Sequence, residues 1–114
     1  MLTRDAILSS LPLETVEIEV PSLGDVVLLQ EPSADGTIAL HEMIQKCRDE
    51  GSLRGLREFL VVLCCVDEER KPLFTEEDVK ALGSTANETV KIISDAAWEL
   101  VGITKEKIED VAGN

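Results

Sequence analysis

Residues 15–30 read Thr-Val-Glu-Ile-Glu-Val-Pro-Ser-Leu-Gly-Asp-Val-Val-Leu-Leu-Gln, and this stretch decides the fold class. In residues 15–20 apolar side chains alternate with polar ones, which is the period of a strand with one buried face. Residues 21–24 have the composition of a turn, and residues 25–30 read as a second, apolar strand. Together they predict an antiparallel β-hairpin. Because a lone hairpin is marginal in water, it has to pack on the following helices or pair with another chain.

The rest of the chain carries helical patterns. After a loop over residues 31–37, four helices are predicted: residues 38–48, 53–66, 75–82 and 85–101. The second half of helix 53–66 is apolar all round, which is typical of a segment at the centre of a core. Thr75 and Asp78 resemble a capping box, Ser84 is the expected cap of the last helix, and Gly102 stops it.

Short turns are expected at both ends of the chain. Thr3 caps a turn in a lead-in that Pro12 ends, and a final turn runs from Thr104 through Val111. The length of 114 residues is that of one domain. We therefore predict a single α+β domain over residues 1–114. Its lead-in and N-terminal β-hairpin, residues 1–31, pack on a mainly α-helical part of four to five helices, residues 34–112.

Composition excludes several classes of partner. The net charge of −12 repels nucleic acid phosphates and disfavours anionic membranes. The longest apolar run, residues 59–66, is far shorter than the ~20 residues that span a bilayer. Cys64 and Cys65 are adjacent, and with Cys47 the number of cysteines is odd. This pattern favours free thiols in a reducing cytoplasm over a disulfide framework.

The sequence predicts no catalytic, metal or cofactor site. His41 is the only histidine and has no cysteine or histidine at ligand spacing. Cys64-Cys65 is not a C-x-x-C motif, and zinc needs about four ligands. No glycine-rich phosphate loop and no nucleophile elbow is present. We therefore expect a non-enzymatic protein that acts by binding other proteins.

Residues 61–83 read VVLCCVDEERKPLFTEEDVKALG, and the stretch of residues 84–103 ends AAWELVGI. This resembles the tail assembly chaperones of long-tailed, non-contractile bacteriophages and prophages, in which an apolar helix leads into a "VDEDGKPLF" turn and an "(S/T)xEDVxxLG" helix start. The opening MLTRDAIL and the hairpin are similar to the family's lead-in and "VEVPEWGG" hairpin. Residues 30–52 lack its "GxERxxF"-like segment, and Glu69-Arg70 stands where its turn has Asp-Gly.

The resemblance implies a function in phage assembly. Members of this family bind the tape measure protein in the bacterial host cytoplasm, keep it soluble until tail tube subunits polymerise around it, and are absent from the mature virion. They are often also made as a longer frameshifted form whose extra segment recruits the tail tube protein. The alternative is a structural or head/tail-completion module that stays in the virion.

A partner-binding groove is expected on the second predicted helix and the last one. The residues assigned to it are Leu56, Leu60, Leu63, Trp98 and Val101. Trp98 lies roughly 120° round the last helix from the centre of its apolar stripe. Two interpretations of Trp98 stay open: packing on the N-terminal segment or hairpin, and contact with a partner or subunit. An exposed hairpin edge and Trp98 both permit a homo-oligomer.

Overall fold

The computed structural model describes residues 1–10 and 14–102, and it confirms the α+β class. The strands within these residues are β1 (Thr15–Val20), β2 (Asp25–Gln30) and β3 (Cys65–Val66). The helices are α1 (Arg4–Leu8), α2 (Ala34–Glu50), α3 (Leu56–Cys64), α4 (Asp78–Gly83) and α5 (Asn87–Val101). Pro12 and the turn expected from Thr104 through Val111 lie outside the described residues.

The hairpin has the predicted bounds. β1 and β2 pair antiparallel with Val16 opposite Leu29 and Ile18 opposite Val27. In the turn, the Leu23 N–H donates to the Val20 carbonyl at 2.9 Å, and Gly24 adopts a φ of 68°. Glycine reaches this left-handed conformation at no steric cost, so the four-residue turn closes without strain.

The prediction of one helix over residues 53–66 is wrong at both ends. α3 ends at Cys64, and Cys65–Val66 instead form β3, which pairs with Leu28 and Leu29 of β2. The chain reverses immediately afterwards, because the Asp67 carboxylate accepts the N–H groups of Glu69 and Lys71 at 2.8 and 3.0 Å. An all-apolar run has no periodicity that separates a buried helix from a buried strand.

Helix starts also differ from their predicted positions. α2 begins at Ala34, four residues before the expected start, because the Ser33 hydroxyl accepts the Gly36 N–H at 3.1 Å and caps the helix. α4 begins at Asp78, three residues after the predicted start, and its N-cap is Glu77 rather than Thr75. One half of the predicted capping box is present, because the Asp78 carboxylate accepts the Thr75 N–H at 2.8 Å. Ser84 does not cap α5. It ends α4, where its hydroxyl donates to the Ala81 carbonyl.

The core lies between one face of the sheet and the helices. Val20 and Leu29 contribute from the hairpin, and Leu40 and Cys47 contribute from α2. The α3 and α5 helices pack against each other and supply most of the remaining buried side chains. The turn of the hairpin is tied to α5, because the hydroxyl oxygens of Ser22 and Thr89 lie 3.1 Å apart.

Candidate functional site

The five residues assigned to a groove from the sequence lie in the core or pack against it. Leu56, Leu60 and Trp98 are 1%, 0% and 5% exposed. Leu63 and Val101 are half-buried and pack against the same cluster. Trp98 therefore packs in the core of its own chain.

An open apolar groove lies instead at the N-terminal half of α5, below the hairpin turn. Its volume is about 400 Å³. Val61 of α3 and Val90 and Ile93 of α5 form its floor, and Val20 and Leu82 form part of its walls. These floor and wall side chains belong to the core or pack on it, so the groove is an opening onto the core itself.

Exposed apolar side chains form the rim of this groove. Leu23 is 69% exposed and Leu73 48%, and Phe74 beside Leu73 is half-buried. Val26 also lines the groove, but its side chain lies on the face of the sheet that it shares with Glu19. Single exposed apolar residues are ordinary on protein surfaces. Two of them on one apolar groove give it the character of a binding site for an apolar partner.

The groove is open because β3 is short. β3 covers only Leu28 and Leu29 of β2. Next to this pairing the Val26 N–H donates to the carboxylate of Asp25 at 2.8 Å. The chain after Val66 turns back along β3, where Pro72 bridges to Val66 and the Leu73 N–H donates to the Cys65 carbonyl at 3.0 Å. Leu73 and Phe74 then line the groove.

The electrostatic setting of the groove is negative. Asp25 is the charged residue among the residues that line the groove, and Thr85 and Thr89 are the uncharged polar ones. The chain as a whole carries a net charge of −12. An apolar groove on such a protein favours a partner segment that presents an apolar face and carries basic residues beside it.

The cysteines are core residues with protonated thiols. Burial raises the pKa of the Cys64 and Cys65 thiols to about 12, and the Cys64 neighbour adds to the effect on Cys65. Burial, followed by the nearby Glu50 carboxylate, also raises the pKa of the Cys47 thiol. A protonated thiol is a poor nucleophile and a poor metal ligand. Within residues 1–10 and 14–102, His, Cys, Asp and Glu side chains form no group of three or more that could hold a metal ion.

In the described part of the chain, no helix is both long enough and apolar enough to cross a membrane.

Comparisons of this chain with protein-family models, with curated proteins and with solved structures find no match. The function of the groove therefore has to be argued from its own residues.

Sequence reasoning missed the residues that form the rim. A signal was present, since Leu23 is an apolar residue in a turn and Leu73-Phe74 follows Pro72 in a charged, loop-like segment. No helix or strand face accounts for apolar residues at such positions. That they meet at one groove depends on tertiary packing, which no local pattern contains.

Proposed function

We propose that this chain is a non-enzymatic tail assembly chaperone of a bacteriophage. In this proposal it binds the tape measure protein in the bacterial host cytoplasm, keeps it soluble until tail tube subunits polymerise, and is left out of the mature virion. The observation that carries the proposal is the open apolar groove, rimmed by Leu23 and Leu73, on a strongly acidic domain. The resemblance of residues 61–83 to this family supports it.

The groove suits the chemistry of a long helical partner. A helix that has not yet been enclosed by its tube exposes an apolar stripe, and an apolar groove can cover part of that stripe. Burying the rim side chains contributes roughly 1.5–3 kcal/mol each, before the cost of association is subtracted. Each contact is therefore weak enough to be released when tube subunits arrive, and the negative charge keeps the complex dispersed.

A longer, frameshifted form of the chain belongs to the same proposal. Its extra segment would recruit the tail tube protein, while the domain described here holds the tape measure. The groove is lined by the hairpin, α3, α4, α5 and the segment Leu73-Phe74, so it is formed within residues 20–93 and needs no added segment.

The test is co-expression with the tape measure protein encoded beside this chain. The readout is the soluble fraction of the tape measure with wild type, with Leu23→Asp/Leu73→Asp, and with Ile7→Asp/Ile38→Asp. Ile7 and Ile38 are each 56% exposed and do not line the groove, so the second pair is a matched control. We expect wild type and the control to solubilise the tape measure and the groove variant to fail.

Two results would contradict the proposal. If the tape measure stays insoluble and unbound beside folded wild-type chain, the chaperone function is wrong. If mass spectrometry finds the chain in purified virions, a structural or head/tail-completion protein is the better assignment. Equal solubilisation by the groove variant and the control would leave a chaperone but would remove the groove as its binding surface.

A further inference from the structure

The outer edge of β1 is the free edge of the sheet within the described residues. The sheet order is β1-β2-β3, so β1 has a neighbour on one side only. The opposite edge is short and is partly covered by the bridge between Val66 and Pro72. A free strand edge presents unpaired N–H and C=O groups that another strand can bind.

The pairing pattern shows which backbone groups point outward. The Glu31 N–H donates to the Glu14 carbonyl at 2.9 Å, next to the pair of Thr15 and Gln30. Hydrogen-bonded and non-hydrogen-bonded pairs alternate along an antiparallel ladder. The backbone groups of residues 16 and 18 therefore face β2, and those of Thr15, Glu17 and Glu19 face away from it.

The side chains along this edge differ between the two faces of the sheet. Glu17 and Glu19 are exposed on the outer face. On the core face Val16 is 36% exposed and Ile18 is half-buried, so apolar surface at the margin of the core is left uncovered. An added strand would therefore meet acidic residues on one face and apolar residues on the other.

A second copy of this chain does not suit the edge. Antiparallel self-pairing centred on Ile18 places Glu17 of each copy directly opposite Glu19 of the other. Self-pairing centred on Glu17 places that residue opposite itself. Like charges directly opposite each other destabilise a strand pair, whereas opposite charges stabilise it.

We infer that the β1 edge is a docking site for an extended, basic segment of another protein. The segment adds antiparallel to β1 with Lys or Arg opposite Glu17 and Glu19, and an apolar residue between them beside Val16 and Ile18. This surface is separate from the groove at Leu23 and Leu73, and it does not depend on the chaperone function.

The test uses a blocked synthetic peptide, Ser-Lys-Val-Lys-Val-Lys-Ser, with binding followed by amide chemical shifts of the full chain. Two isomers are compared with it, one N-methylated at the lysines and one at the valines. In the proposed register the lysine N–H groups bond to β1, so lysine methylation should abolish binding while valine methylation leaves it intact. The shifts should centre on Thr15, Glu17 and Glu19.

Matched variants separate the site from net charge. Glu17→Gln/Glu19→Gln should weaken peptide binding by about fivefold through the loss of two cross-strand charge pairs. Glu42→Gln/Glu99→Gln removes the same charge from exposed positions on α2 and α5 and should leave binding within about twofold. The proposal is overturned if the peptide does not bind, if both double variants weaken peptide binding equally, or if the lysine-methylated isomer binds. It is also overturned if the wild-type chain forms a dimer that protects the amides of Thr15, Glu17 and Glu19.

Discussion

The two halves of α5 differ in what covers their apolar side chains. In the C-terminal half, Ala97 and Trp98 are 0% and 5% exposed and belong to the core that α3 shares. In the N-terminal half, Val90 and Ile93 are also buried, at 2% and 7% exposed, but they form the floor of a groove whose rim residues Leu23 and Leu73 are 69% and 48% exposed. The two halves therefore differ in the exposure of the residues that cover them.

The difference follows from the elements that face each half. α3 packs along α5, where Leu60 is fully buried and Val61 lies beside Val90 and Ile93 in the floor of the groove. Above that floor, the covering elements are a four-residue turn and the loop after Pro72, which supply Leu23 and Leu73. A turn and a loop cannot present a continuous apolar stripe. The side chains of Leu23 and Leu73 therefore remain exposed, whereas the contact between α3 and α5 excludes water.

The largest effect should come from Trp98, on the filled half. Trp98→Ala leaves a large cavity in the core and should lower the free energy of unfolding by about 3–5 kcal/mol, a large part of the total for a domain this size. Leu23→Ala on the open half should change it by less than about 0.5 kcal/mol. Urea denaturation followed by circular dichroism measures both. Similar losses for the two variants would contradict the distinction between the halves.

The next largest effect is the pH dependence of the free energy of unfolding, which tests the burial of the Cys64 and Cys65 thiols in the core. Cys64 and Cys65 keep their protons in the folded chain up to about pH 12, whereas an unfolded cysteine titrates near 9.0. Below pH 9 both states are protonated and stability is unaffected. As the pH rises from 9 toward 12 the unfolded state alone loses protons, so the free energy of unfolding should fall by about 1 kcal/mol per thiol for each pH unit.

The control for this pH dependence is Cys64→Ala/Cys65→Ala. Lysine titration in the same range affects wild type and variant alike, so the difference between their unfolding curves isolates the two thiols. The variant should be less stable at pH 7.5 and should approach wild type by pH 10. A constant difference across that range would show that the thiols ionise with the same pKa in both states, and that this part of the core admits water.

The sequence predicts the fold wherever a period is visible. β1 and β2 have the expected bounds because alternation and turn chemistry agree over residues 15–30. β3 is missed because residues 59–66 are apolar throughout, and an aperiodic apolar run does not show where a helix becomes a strand. The early start of α2 is missed because Pro32 and Gly36 indicate a loop, while the Ser33 cap overrides them.

The site could not be predicted in the same way. Leu56 and Leu60 are assigned to binding because they lie on an apolar helix face, but such a face is equally the mark of a core residue. Trp98 is assigned to it because a tryptophan beside the apolar stripe is costly to expose, yet it is buried as well. What distinguishes the two is whether another element covers the face. Leu23 and Leu73 are left uncovered because β3 ends after two residues, and the length of β3 is a property of the assembled sheet.

The smallest predicted change in unfolding free energy comes from the contact between the hairpin turn and the N-terminal half of α5. There the hydroxyl oxygens of Ser22 and Thr89 lie 3.1 Å apart. Thr89→Val keeps the buried shape and removes this contact, and Ser22→Ala removes it from the exposed side. Each should cost about 1 kcal/mol, and the double variant should cost little more than either alone, since the two changes remove one shared interaction. Denaturation of the four proteins in this cycle gives the coupling energy.

Hydrogen exchange in the same variants shows what this contact does for the groove. If it holds the turn over α5, amides of residues 22–26 should exchange faster in Thr89→Val, while amides of α3 keep their protection, because α3 packs on α5 independently of the hairpin turn. A coupling energy near zero would mean that apolar packing alone positions the turn. Faster exchange in α3 as well would mean that the open and filled halves of α5 unfold as one unit, and the contrast between them would then be one of exposure only.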